Sequence, residues 1–172
     1  MQIRINPAAA CCFAMLAAGV VAYAASLSSA DRQFMVMAAK TDMLEAHEGQ
    51  MAENQANQSD VKDLGRTLVQ DHTDSYQHLT ALAAKTGVSI PKGIDVAKDR
   101  SVEQLARLKG ARFDHQFAQD EIADHRQALA AFRREAAHGS DTDVKAYASS
   151  MIPVLEKHLH LAEKCARPAK TS

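Results

Sequence analysis

The chain has 172 residues, 47% of them hydrophobic, enough to bury one sizeable core and to make a single domain the expectation. Aromatic residues are few (5%, no Trp), while Ala, Leu, Gln, Lys and Glu abound, which favours helix over sheet. A formal net charge of −1 and the lack of any basic run exclude a partner held mainly by charge, nucleic acid above all.

The first 24 residues read as a secretory signal peptide. Arg4 supplies the positive start, Ala8 to Ala22 the apolar stretch, and Ala22-Tyr23-Ala24 an A-x-A-like cleavage site. That apolar stretch is shorter than the roughly 20 residues a membrane span needs, so no stable span is expected after cleavage. The expected destination is the periplasm or the exterior, with residues 25–172 as one domain. Cleavage leaves Cys165 as the sole cysteine, so the mature fold has no intrachain disulfide.

The pattern that follows is helical throughout. From Ser29 to about Asn57, Phe34, Met37, Ala38, Leu44, Met51 and Ala52 recur at three- and four-residue steps, with Asn57 as a left-handed terminator and Ser59 as the next N-cap. A second helix, about 60–86, carries Val61, Leu64, Leu68, Tyr76, Leu79 and Leu82, and Gly87 closes it. Residues 88–98 hold Pro91 and Gly93 and form the longest connection. Helical character resumes at Ser101, with Gly110 as an interruption. A third helix runs to about His138 through Phe113, Phe117, Ile122, Leu129 and Phe132. After Gly139-Ser140 a fourth continues to about Cys165 through Val144, Tyr147, Met151, Leu155 and Leu161. The expected fold is all-α: a four-helix bundle with a longer connection between helices two and three.

Four polar residues interrupt these stripes. His72 lies four from both Leu68 and Tyr76, His125 falls between Ile122 and Leu129, and His158 sits three from both Leu155 and Leu161. Glu45 is on the edge of the inward face of the first helix, with Glu48 one turn on; Glu121 precedes His125 by four, a workable chelating spacing. At about 1.5 Å rise per residue, all four lie about 18–24 Å into their helices, so they share a level. Imidazole and carboxylate at one level suit zinc, iron, copper or manganese. A buried hydrogen-bond network that fixes helix register is the competing reading. The other five histidines, His47, His78, His115, His138 and His160, read as surface residues, and the methionines as packing.

The segments Glu45 to Ala52, Leu68-Val69-Gln70-Asp71-His72, Phe113-Asp114, Asp124-His125 and Pro153-Val154-Leu155 through His158 resemble an exported bacterial family, domain of unknown function 4142. The resemblance covers about 31–165 and implies a ferritin-like fold and an envelope location, with no assigned activity. The Glu-x-x-His pair of ferritin-like dinuclear iron sites is missing, and so are a nucleophile elbow and a phosphate loop. The sequence therefore points to a metal-binding or non-enzymatic interaction module rather than to an enzyme.

Overall fold

The computed structural model describes residues 27–94 and 100–167, which contain five α-helices and no strand. Helix α1 spans Ser29–Gln55, α2 Ser59–Thr86, α3 Arg100–Ala106, α4 Ala111–His138 and α5 Thr142–Cys165. The expected signal peptide lies outside the described residues. Among those described, no helix is long and apolar enough to cross a membrane.

Local chemistry sets most of the helix ends. The Ser28 hydroxyl accepts the Asp31 N–H at 3.0 Å to open α1, and the Asp141 carboxylate accepts the N–H groups of Asp143 and Val144 to open α5. Gly87 (φ 69°) closes α2 and Gly110 (φ 59°) breaks the chain between α3 and α4. At the α1–α2 turn the expectations fail. Asn57 is not left-handed, because Ala56 leaves α1 in an extended conformation. Ser59 is not the cap of α2 either; Gln58 holds that position and makes no side-chain capping bond. A residue from another helix does the work instead. The buried Asp114 carboxylate of α4 accepts the N–H groups of Asn57 (2.9 Å) and Gln58 (3.0 Å).

Asp31 of α1 performs the same service in the opposite direction, accepting from Ser140 (2.9 Å) and Asp141 (3.2 Å) at the α4–α5 turn. The reciprocity is written in the sequence. Asp31-Arg32-Gln33-Phe34 corresponds to Asp114-His115-Gln116-Phe117, and Ser59-Asp60-Val61-Lys62 to Thr142-Asp143-Val144-Lys145, each pair 83 residues apart. The two helical hairpins, α1–α2 and α4–α5, thus share these short segments, and each grips the turn of the other.

The apolar core falls into two clusters. One gathers Phe34, Met35, Leu79, Phe132, Tyr147 and Leu155; the other gathers Leu64, Leu68, Phe113, Phe117 and Ala162. Every long helix contributes to both, and in every one the polar residues of the expected layer fall between the two sets. In α4, for example, Phe117 and Ala118 precede Glu121 and His125, while Leu129 and Phe132 follow.

Beside the Asp31 clamp lies Glu135, also buried. Burial and then the neighbouring Asp31 carboxylate raise its pKa to about 7, so near neutrality it still donates a proton to Asp31. A carboxyl raised in this way contributes stability that is complete below the unfolded value of about 4.5 and lost as pH rises through 7. Glu135→Gln keeps a donor without a titration. It is expected to be more stable than the parent at pH 8, on the order of 1 kcal/mol, and equal to it at pH 4.5. Urea midpoints at the two pH values check this, and an equal change at both would refute it.

Candidate metal centre

Each of the three core histidines is held by its outer nitrogen. On α2, His72 donates from Nδ1 to Asp42 Oδ1 of α1 at 2.9 Å. On α5, His158 donates from Nε2 to Asp71 Oδ2 of α2 at 2.9 Å, and Lys157 binds the same oxygen at 2.9 Å. On α4, His125 directs Nδ1–H to the Glu121 backbone carbonyl at 2.9 Å. Glu121 Oε2 is also 3.3 Å from that nitrogen, but the single ring proton already points at the carbonyl. Acceptors on all three outer nitrogens fix all three tautomers.

The inner nitrogens are then His72 Nε2, His125 Nε2 and His158 Nδ1, each presenting a lone pair. His125 Nε2 and His158 Nδ1 stand 3.1 Å apart, and His72 Nε2 is buried with no partner. The ring centroids are 5.2–5.9 Å apart, and the three residues offer ligand atoms within 4.8 Å of one another. Burial, followed by the neighbouring histidines against the opposing pull of Asp71, lowers the His158 pKa to about 3. The ring therefore stays neutral, which is the form that ligates a metal.

The carboxylates continue from this trio without a gap. Glu45, Glu121 and His125 form a second group of mutually close ligand atoms, and Glu45, Glu48 and Asp124 a third. Glu45 and Glu121 are fully enclosed and share a hydrogen bond, while Oε2 of each has no hydrogen-bond partner. Burial is the main cause that raises both carboxyls well above their ordinary range, so the pair retains a proton. Of the six residues proposed from sequence, His72, His125 and His158 converge directly. Glu45 and Glu121 join them through His125, and Glu48 belongs to the outer group with Asp124.

Three participants escape the sequence reading. Asp42 is 2% exposed and, besides His72, accepts the Ser75 hydroxyl at 2.9 Å. Ser75 in turn meets the Tyr147 hydroxyl at 2.8 Å, and Tyr147 reaches Asp42 Oδ2 at 3.4 Å. This closed network ties α1, α2 and α5 together behind His72. The signal that was available is heptad spacing: Asp31, Met35, Ala38, Asp42, Glu45, Gly49 and Ala52 alternate at four and three along the buried seam of α1.

The sequence profile described as "Domain of unknown function (DUF4142)" matches residues 17–165. The chain belongs to that family. No curated protein matches it. Solved structures share the fold at low identity. The crystal structure of a DUF305 fragment from Deinococcus radiodurans is 14% identical with a TM-score of 0.72, covering 81% of this chain and 97% of its own. CopM in its Cu(I)-bound and Ag-bound forms is 16% identical with a TM-score of 0.64, covering 78% of this chain and 93% of its own. At these identities the likeness is one of fold, so the family and its neighbours leave the chemistry to be argued from the residues.

Proposed function

We propose that this is an exported periplasmic or envelope protein, a ferritin-like four-helix bundle whose long helices enclose a mid-bundle transition-metal centre. The ligands are His72, His125 and His158, completed by an oxygen of Glu45 or Glu121. The observation that carries this reading is the convergence of three buried imidazole lone pairs whose outer nitrogens are already spoken for. Lone pairs facing each other at 3.1 Å repel unless a cation lies between them. Two nitrogens bound to one tetrahedral ion at about 2.0–2.1 Å sit about 3.3 Å apart, so little movement is needed.

The donor set narrows the ion. Imidazole and carboxylate, with no thiolate in any of the three groups, suit zinc or copper(II) ahead of soft monovalent ions, with iron and manganese behind them. CopM has been solved with Cu(I) and with Ag, which gives metal binding a precedent on the same scaffold while the donors here favour a divalent ion. Without a Glu-x-x-His pair on two helices, dinuclear oxygen chemistry has no ligand set, so the proposed role is binding rather than catalysis.

Elemental analysis of the protein purified without chelator tests this. One ion per chain is expected, and none in the His72→Ala, His125→Ala double variant. A second reading, that the polar layer only specifies packing, draws on the closed Asp42–Ser75–Tyr147 network, which needs no ion. Protein that takes up no zinc, copper, iron or manganese when offered each at micromolar concentration would establish that reading and sink the first.

A further inference from the structure

The outer edges of α1 and α4 stand apart, leaving an open cleft of about 690 Å³. Phe34, Met37, Leu44 and Ala131 line its walls, and Glu45 and Asp124 are the last residues on the two sides at one end. From that end the carboxylates lead inward. Asp124 is exposed and groups with the buried Glu48 and Glu45; Glu45 recurs with Glu121 and His125, and His125 recurs with the other two histidines. Overlapping membership makes one continuous file of ligand atoms from solvent to core. Along it, Oε2 of Glu45 and Oε2 of Glu121 are buried without a hydrogen-bond partner, on residues only 3% and 1% exposed. Such oxygens are costly to bury unless something positive is meant to visit them.

We propose that Glu45, Glu48 and Asp124 form a second, outer cation site, which takes a hydrated divalent ion from the cleft and passes it through Glu45 and Glu121 to the three histidines. The passing-on rests on the histidine centre being a metal site; the outer site itself does not. Its donors are all oxygen and one edge is open to water, so it suits a hard ion that keeps part of its hydration shell, such as Mn²⁺ or Mg²⁺. The inner donors are mainly nitrogen and fully dry, so a borderline ion prefers to move inward. Asp124, the exposed member of the group, is the carboxylate that an ion leaving the end of the cleft meets first.

The test uses the full mature chain, with Zn²⁺ for the inner site and Mn²⁺ for the outer one. After one equivalent of Zn²⁺, electron paramagnetic resonance should detect one weaker Mn²⁺ site that Asp124→Asn and Glu48→Gln each weaken about tenfold or more. Stopped-flow loading of Co²⁺, followed by its visible absorption, should slow about tenfold in Asp124→Asn at low ionic strength while the final stoichiometry stays at one. Zn²⁺ uptake with no Mn²⁺ site, and with equal loading rates in parent and Asp124→Asn, overturns the outer site and leaves the histidine centre standing. Mn²⁺ bound by the carboxylates in a chain that ignores Zn²⁺ and Co²⁺ supports the outer site but overturns the transfer. Binding of none of the three ions overturns both.

Discussion

Zn²⁺ at a hundredfold excess over its dissociation constant is expected to stabilise the protein by about 2.7 kcal/mol, because an ion that binds only the folded state adds RT ln(1 + [L]/Kd). For a chain of this size that is a rise in Tm of about 8 °C. The gain should vanish in the His72→Ala, His125→Ala double variant. It should shrink in Asp42→Ala, whose carboxylate touches no ligand atom but fixes which His72 nitrogen carries the proton; removing such a partner weakens metal sites about 10–100-fold. A structural network predicts otherwise: both variants would lose stability and neither parent nor variant would respond to the ion. Differential scanning calorimetry with and without Zn²⁺ separates the two outcomes.

The pH dependence of that gain has a definite sign. The ion must displace the proton held by the Glu45–Glu121 pair, whose carboxyls burial keeps protonated above their ordinary range. Binding therefore releases a proton, and the stabilisation should grow as pH rises above the ordinary carboxylate range. In the metal-free chain the neutral His158 ring acts at the acid end. Its folded pKa, lowered to about 3, lies below the unfolded value of about 6.5, so its contribution is intact above 6.5 and is lost as pH falls toward 3.

The shared level of Glu45, His72, His125 and His158 is legible from sequence because helix rise is nearly constant and the flanking Leu and Phe residues fix the face. The structure sets the four between two apolar clusters. Periodicity finds the apolar part of the inward face of α1, Phe34, Ala38, Met51 and Ala52, and misses some of its polar part. Met37 and Leu44 draw the stripe toward the cleft between α1 and α4, whereas Phe34, at the border of that cleft, packs into the core against Phe132 and Tyr147. Beside Ala38 and Glu45, which periodicity does place, the seam holds Asp31, Asp42 and Gly49, which no hydrophobic pattern selects. Cross-helix partners such as Asp42 for His72, or Asp71 for His158, depend on how far one helix slides past another, and spacing within a helix carries no record of that.

The 83-residue correspondence was within reach of the sequence and supplies the missing constraint. It pairs Asp31 with Asp114 and Phe34 with Phe117, where the two hairpins keep the same job. It also pairs Asp42 with His125, Ser75 with His158 and His72 with Leu155, where they do not. The two halves agree at the turn-gripping segments and at Phe34 and Phe117, and differ elsewhere, in the apolar clusters (Gly49 against Phe132, Leu79 against Ala162) as well as in the histidine layer.

Gly65→Ala is expected to cost about 2 kcal/mol in stability and to loosen the centre with it. A Cβ at Gly65 would lie 2.6 Å from the Gly49 carbonyl oxygen and 2.9 Å from Ala52 Cβ; one at Gly49 would lie 2.7 Å from the Gly65 carbonyl oxygen. The obstacles are backbone atoms, so no rotamer change relieves them and α1 must move away from α2. Two effects compete. Alanine gains about 1 kcal/mol over glycine in a helix interior, whereas forcing extra volume into a closed contact costs about 1–3 kcal/mol, occasionally more. A clash with backbone puts this case at or beyond the upper end, so the loss wins. Gly65 also lies two turns before His72 on the same face, and Gly49 adjoins Glu48. Separating the helices there stretches the 2.9 Å contact between Asp42 and His72. Gly65→Ala should therefore lower both the urea midpoint and the Zn²⁺ affinity. Gly93→Ala, where a Cβ meets nothing within 4 Å, should change neither. A Gly65→Ala protein more stable than its parent would mean that the helices are free to slide, and that the close approach of α1 and α2 does not set the spacing of the metal ligands.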